Sequence, residues 1–229
     1  MNQLNLDLPK AKNFDPYSAK DFLILEENRA AFNFLEKFFT QDSFSQAQFT
    51  SLILKGARHS GKTHLLSFFT KKYQAEFLQI EKISQKNLVK IFTTNQFYIL
   101  EDIDKIENEE MLLHIINSAF EAKAFLILSL IKQHKFNLKD LSSRLKNIFA
   151  LQIKDPKSET IEILLINALS RRQIKVSNHI IDFITNHIAH DYSEIFFIVD
   201  AIESYLQVER KNLTTKKITE ILAEIRGNK

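Results

Sequence analysis

Gly56-Ala57-Arg58-His59-Ser60-Gly61-Lys62-Thr63 sets glycine, lysine and a hydroxyl at the spacing G-x-x-x-x-G-K-[ST]. Those residue types at that spacing bind phosphate. Glycine lets backbone N–H groups turn inward around phosphate oxygens, and the N-terminus of a following helix adds partial positive charge. Lys62 would reach the β and γ phosphates, and the Thr63 hydroxyl would help hold Mg²⁺. On this reading Gly56, Ser60, Gly61, Lys62 and Thr63 bind ATP or ADP. The chain has 3 glycines in all, the third being Gly227, so a residue otherwise avoided is concentrated here.

A second group of chemical residues follows the apolar run Phe97-Tyr98-Ile99-Leu100, which leads into Glu101-Asp102-Ile103-Asp104. Nucleotide hydrolysis needs an acid beside the metal and another that polarises or positions the attacking water. Glu101 takes the metal side here, with Thr63, and Asp102 the water side. The alternative is a solvated acidic turn ending a strand. A third candidate is Arg144, in Asp140-Leu141-Ser142-Ser143-Arg144-Leu145. A permanently charged, planar guanidinium at the edge of a nucleotide domain suits the oxygens of a transferring phosphoryl group on a neighbouring subunit. An ordinary surface arginine near a helix C-terminus fits the same position.

These groups need rigid elements to hold them. Leu52-Ile53-Leu54 predicts a strand before the glycine loop, over 51–55, and 62–73 a helix after it. Apolar spacing predicts further helices over 27–39, 86–93, 109–122 and 138–146, and strands over 76–80, 96–100, 124–130 and 148–153. Strands alternating with helices give an α/β fold with a parallel sheet covered on both faces. The strand over 96–100 is expected beside the glycine-loop strand. After Pro156 the strand-like runs stop, and helices are expected over 157–171, 177–189, 193–209 and 214–226, with N-caps near Ser177 and Thr214. The organisation expected is an extended tail over 1–13, a nucleotide-binding unit over 14–155 and a small all-helical unit over 156–229.

Composition limits the remaining classes. A chain of 229 residues, 45% hydrophobic and 26% charged, can bury a full core. The net charge of +3 permits a nucleic-acid partner without requiring one. The absence of cysteine excludes disulfides and thiolate metal sites and fits a reducing cytoplasm. The longest apolar run, 124–131, is strand-sized, and the N-terminus lacks the features of a signal peptide. The 20 Phe read as general core filler. His187 and His190 read as one face of a helix, and the basic pairs Lys71-Lys72, Arg171-Arg172 and Lys216-Lys217 as solvated faces.

Several of these segments resemble one family. Gly61-Lys62-Thr63-His64-Leu65-Leu66 is similar to the phosphate loop of the DnaA-like AAA+ proteins. Phe14-Asp15-Pro16 with Asp21-Phe22-Leu23 resembles the segment leading into their core, and Ser143-Arg144-Leu145 the segment that carries their arginine finger. The resemblance spans about 14–226. It implies an AAA+ nucleotide domain followed by a helical lid. Within the family the chain looks most like the short Hda-type paralogues, including the alphaproteobacterial form. It runs only to the end of the lid, and Gln3-Leu4-Asn5-Leu6-Asp7-Leu8-Pro9 resembles their sliding-clamp-binding peptide. Gln3, Leu4, Leu6 and Leu8 are then the clamp-binding residues, although a leucine-rich tail packed on its own domain fits the same pattern. The resemblance implies the DNA polymerase sliding clamp and the initiator DnaA as partners, no sequence-specific DNA reading of its own, and regulatory inactivation of DnaA through Arg144.

The chain also departs from the family. Ser193 stands where the family's lid arginine contacts phosphate. Ser129 is the only polar group at the end of the fourth strand, and so the only candidate sensor of the γ-phosphate. Both departures imply weak intrinsic hydrolysis. The alternatives are a self-sufficient P-loop ATPase acting in helicase loading or remodelling, and a replication adaptor with no catalytic part.

Overall fold

The fold is described from a computed structural model covering residues 22–40, 50–84, 86–131, 134–209 and 213–227. Gln3, Leu4, Leu6 and Leu8, and the segment Phe14-Asp15-Pro16, lie outside the described residues.

Continuous apolar runs build the centre. β1 (Ser51–Lys55), β2 (Glu76–Phe77), β3 (Phe97–Leu100), β4 (Phe125–Leu130) and β5 (Phe149–Gln152) form a 5-stranded sheet in the order β2-β3-β4-β1-β5. All its pairings are parallel. Successive side chains of a strand point to opposite faces, and here each face finds its own helices. Leu52, Leu54, Ile99 and Ile127 pack with α1 (Glu26–Phe39) and α2 (Lys62–Tyr73). Ile53, Leu100, Leu126 and Leu128 pack with α3 (Leu88–Ile91), α4 (Glu109–Glu121) and α5 (Lys139–Lys146). The doubly covered parallel sheet expected from the alternation of strands and helices is therefore present.

The strand order corrects one expectation. β3 does not lie beside β1, because β4 stands between them and pairs with both. The physical reason is burial. β4 is apolar at every position but Ser129 and buried at all six. Such a strand is satisfied only when its ladder is occupied on both edges and both of its faces are covered.

Two elements are shorter than their apolar patterns predict. β2 stops at Phe77, and the chain turns into a 3₁₀ segment over Ile80–Lys82. The Asn87 side chain then accepts from Ser84 N at 2.8 Å and donates to Lys82 O at 2.9 Å, fixing a turn where helix was expected to begin. At the other end, the Tyr98 hydroxyl accepts from Thr93 N and donates to Ile91 O, each at 3.0 Å. These local bonds compete with helix over 86–93 and leave only Leu88–Ile91 helical.

The C-terminal part is helical: α6 (Ser158–Arg171), α7 (Asn178–His187), α8 (Tyr192–Glu209) and α9 (Thr215–Gly227). Its apolar cluster, including Ile161, Leu165, Ile184, Ile198 and Ile221, is separate from those of the sheet. Thr214 Oγ1 caps α9 by accepting from Lys217 N at 3.2 Å, whereas the Ser177 side chain makes no cap bond to α7.

A buried carboxylate joins the helical part to the sheet. Glu27, 3% exposed, receives the Thr160 hydroxyl at 2.9 Å and Lys157 N at 3.3 Å. Beside it, the Tyr192 hydroxyl donates to Lys154 O at 3.0 Å. Burial, with Glu27 and Asp155 nearby, holds that phenol above its ordinary range. α1 and the first turns of α6 and α8 thus meet in a single polar joint.

Leu66 is fully buried between α2 and the sheet. Leu66→Ala is expected to remove about 2–5 kcal/mol of stability, read as a lower urea midpoint with an unchanged slope.

Candidate functional site

The site begins where β1 ends. Gly56 and Ala57 follow Lys55, and the chain turns through His59 (φ 58°) and Gly61 (φ 87°) into α2. Gly61 is the N-cap of α2 in the left-handed region, which glycine adopts without a Cβ penalty. Gly56 is placed for a different reason: a Cβ there would lie 2.6 Å from Ser60 Oγ and 3.3 Å from Ile153 Cβ, so a larger residue would displace the Ser60 hydroxyl inside the loop.

Lys62 is 7% exposed, and its ammonium donates to Gly56 O at 3.1 Å and Ala57 O at 2.9 Å. Burial lowers its pKa, while Asp102, Asp104 and Glu101 act in the opposite direction. The lysine is therefore a desolvated cation folded into its own loop and facing three acids. The Ser60 hydroxyl is buried without a hydrogen-bond partner. It is thus a polar atom inside the loop able to meet an added oxygen.

β3 delivers the acids from two strands away. Glu101 is half-buried and receives the Thr63 hydroxyl, and burial raises its pKa against that bond. Its Oε1 is buried with no hydrogen-bond partner. Two protein oxygens from different elements thus converge, one of them incompletely satisfied. This set suits Mg²⁺, a hard cation that takes few protein ligands and keeps phosphate and water oxygens. Among the described residues no group of three or more His, Cys, Asp or Glu gathers to hold a metal by itself. The rest of its shell would therefore come from a bound ligand and water.

Asp102 lies in the left-handed region at φ 49°. Its backbone N–H donates to Ser129 Oγ at 3.1 Å, and its carboxylate pairs with Lys105 at 2.5 Å. Ser129, fully buried, thus supports the turn that carries Asp102 and does not line the cleft, where sequence reasoning had it as a γ-phosphate sensor. β4, paired directly with β3, places that hydroxyl against the backbone of the acid turn.

Together these residues line a cleft of about 590 Å³. Its floor is the glycine loop from Arg58 to His64, with Asp102, Lys105 and Ile131 on one wall. Its roof comes from the helical part: Leu164, Asn167, Ala168 and Arg171 of α6, and Tyr192, Ile195 and Phe196 of α8. The His59 ring stacks on Phe196 with centroids 4.7 Å apart and planes 11° apart, joining loop to roof directly.

Three of these contributors were missed in the sequence. Phe196 was read as core filler, yet it is 43% exposed and faces the loop. Arg171 was read as part of a solvated pair, yet it lines the cleft. Its neighbour Arg172 pairs with Asp200 at 2.5 Å and Glu203 at 2.9 Å. Lys105 carried no motif. For α6 the spacing 164, 167, 168, 171 marks one helix face, but nothing in the sequence says what that face covers.

Arg144 lies elsewhere. It sits over the Phe120 ring at 4.7 Å, in a shallow cleft of about 190 Å³ with Thr50, Ser51, Ile116, Asn147 and Ile148. Those residues mark the beginnings of β1 and β5. The length of β1, about 13 Å at about 3.3 Å per residue, therefore separates Arg144 from the glycine loop. The structure brings Lys62, Thr63, Glu101 and Asp102 together and sets Arg144 at the opposite end of the sheet.

Replacing Glu101 with Gln keeps its size and removes a charge that burial disfavours. Glu101→Gln is expected to raise the melting temperature of the nucleotide-free protein and to weaken Mg²⁺-dependent nucleotide binding, read by thermal melts with and without Mg²⁺ and nucleotide.

No protein-family profile matches the chain, and no curated protein does. Solved structures do. Domain III of the replication initiation protein DnaA from Thermotoga maritima aligns with a TM-score of 0.71 at 13% identity, over 92% of this chain and 97% of that one. The replication initiator DnaA bound to AMPPCP and single-stranded DNA aligns at 0.59 and 17% identity, over 86% and 69%. The Thermotoga maritima RuvB Holliday junction branch migration motor aligns at 0.65 and 15% identity, over 91% and 72%. These alignments, at 13–17% identity, show the fold alone: the chain has a DnaA-like fold, a parallel α/β sheet followed by helices.

Proposed function

We propose that the chain is a nucleotide-held AAA+ regulator of replication initiation, of the Hda type. The observation that carries this reading is the desolvated Lys62 ammonium, facing Glu101 and Asp102 across a cleft roofed by α6 and α8. A buried cation, an unpartnered Ser60 hydroxyl and the N-terminus of a twelve-residue helix converge on one point. An anionic ligand satisfies all three. The solved DnaA structure with AMPPCP supports a nucleoside triphosphate as that ligand.

Thr63 and Glu101 would hold Mg²⁺, which would supply charge neutralisation of the polyphosphate. The chain's own residues do the rest. Lys62 leaves its loop carbonyls for phosphate oxygens, the loop N–H groups cradle them, and α6 and α8 exclude water. Asp102 is the residue able to position water, but its carboxylate is paired with Lys105. That pairing favours a site that retains its nucleotide over a self-sufficient ATPase.

Arg144 acts, on this proposal, outside its own cleft. The sheet separates it from the chain's own phosphates, so any phosphoryl group it meets belongs to another molecule. In the Hda-type reading that molecule is ATP-bound DnaA. The tail residues Gln3, Leu4, Leu6 and Leu8 hold the protein on the sliding clamp, raising its local concentration.

Lys62→Ala is expected to abolish ATP and ADP binding in calorimetric titration. With clamp loaded on DNA, wild type is expected to accelerate hydrolysis of DnaA-bound ATP, and Arg144→Ala to lose about 10³-fold or more of that acceleration. Equal acceleration by both removes Arg144 from the mechanism. Deleting residues 1–9 is expected to abolish clamp binding and leave nucleotide affinity unchanged.

A further inference from the structure

We propose that Arg171, at the end of α6, is the lid's phosphate ligand, and that its guanidinium binds the polyphosphate of a nucleoside di- or triphosphate in the cleft. The inference rests on the nucleotide-site reading above and names a residue that the glycine-loop motif does not contain.

The geometry of α6 comes first. Leu164, Asn167, Ala168 and Arg171 line the cleft together. They follow the i, i+3, i+4, i+7 pattern of one helical face. The face is apolar at Leu164 and Ala168 and ends in a cation. α6 is also anchored. At its first turn, Thr160 is bonded to the buried Glu27 carboxylate of α1. Eleven residues of helix, about 16 Å at about 1.5 Å per residue, then carry Arg171 outward from that fixed end.

The other roof helix offers no alternative cation. α8 contributes Tyr192, Ile195 and Phe196 to the cleft. Ser193 does not line it, and its backbone N–H is spent on Asp191 Oδ1 at 2.9 Å. Arg172 is committed to Asp200 and Glu203 on α8 and lies 5.9 Å over Phe196. It braces α6 against α8 and does not line the cleft. Among the described lining residues, Arg171 is thus the one charged group of the roof.

The electrostatics of the cleft point the same way. Its lining carries Arg58, Lys62, Lys105 and Arg171 against the single acid Asp102. Such an imbalance draws a polyanion. Arginine suits phosphate because its planar fork of donors meets two oxygens at once. A cation at a helix C-terminus is also favoured by the partial negative charge there.

The test is calorimetric titration of the full chain with ATP, ADP and adenosine, for wild type, Arg171→Gln, Arg171→Lys and Arg172→Gln. Arg171→Gln is expected to weaken ATP and ADP by about tenfold or more, as loss of a charged hydrogen bond does, and to leave adenosine unchanged. Arg171→Lys keeps the charge but not the fork and is expected to fall between. Arg172→Gln should not distinguish ATP from adenosine. Wild-type ATP affinity in Arg171→Gln overturns the proposal, and so does an equal loss for adenosine, which marks a merely structural role. If wild type and Lys62→Ala bind ATP equally poorly, the nucleotide-site reading itself fails, a result distinct from either.

Discussion

Everything in this molecule turns on keeping one ammonium almost out of water. Lys62 is held by two carbonyls of its own loop and faced by acids from another strand. Burial alone would favour its neutral form, and the carboxylates counter that. The arrangement is costly to preserve without an anion, since both the lysine and Glu101 sit in places that disfavour their charge. The fold supplies the compensation through position: a strand end for the loop, a second strand end for the acids, and a helix start between them.

The sheet order explains how that compensation is built. β4 separates β1 from β3, so the acids approach the loop across the width of an intervening strand. Ser129, the polar interruption in β4, lies where this crossing occurs and accepts the Asp102 backbone N–H. A leucine there would leave that N–H without its bond. The left-handed backbone at Asp102 has the same origin, because the chain must turn sharply off β3 to bring one acid toward Lys62 and the next toward the cleft.

The alternation of strands and helices, the doubly covered sheet and the helical C-terminal part were readable because each follows from local spacing of apolar residues. The glycine loop was readable because its residues are contiguous. What escaped were relations between distant segments. Strand order depends on which strand most needs two neighbours, and the pattern of a single strand does not rank it against the others. β2 and α3 were overestimated because Asn87 and Tyr98 divert the backbone through side-chain bonds that apolar spacing does not register. Lys105, Arg171 and Phe196 are ordinary surface residues in the sequence; Lys105 joins the site through the turn after β3, and Arg171 and Phe196 through the helical part that roofs the loop. Ser129 is the opposite case: a polar residue in an apolar strand signals a partner, and the partner proved to be the backbone of the acid turn.

The ring contact between His59 and Phe196 has a mechanical side. The glycine loop and the roof helix α8 share one flat stacked interface. His59 sits in a left-handed conformation, so its ring direction is tied to the loop's curvature. Any tightening or slackening of the loop shifts that ring, and α8 must slide with it or give up the stack. Loop and roof are therefore geared together through one pair of rings: the curvature of the loop and the position of α8 meet in the same contact.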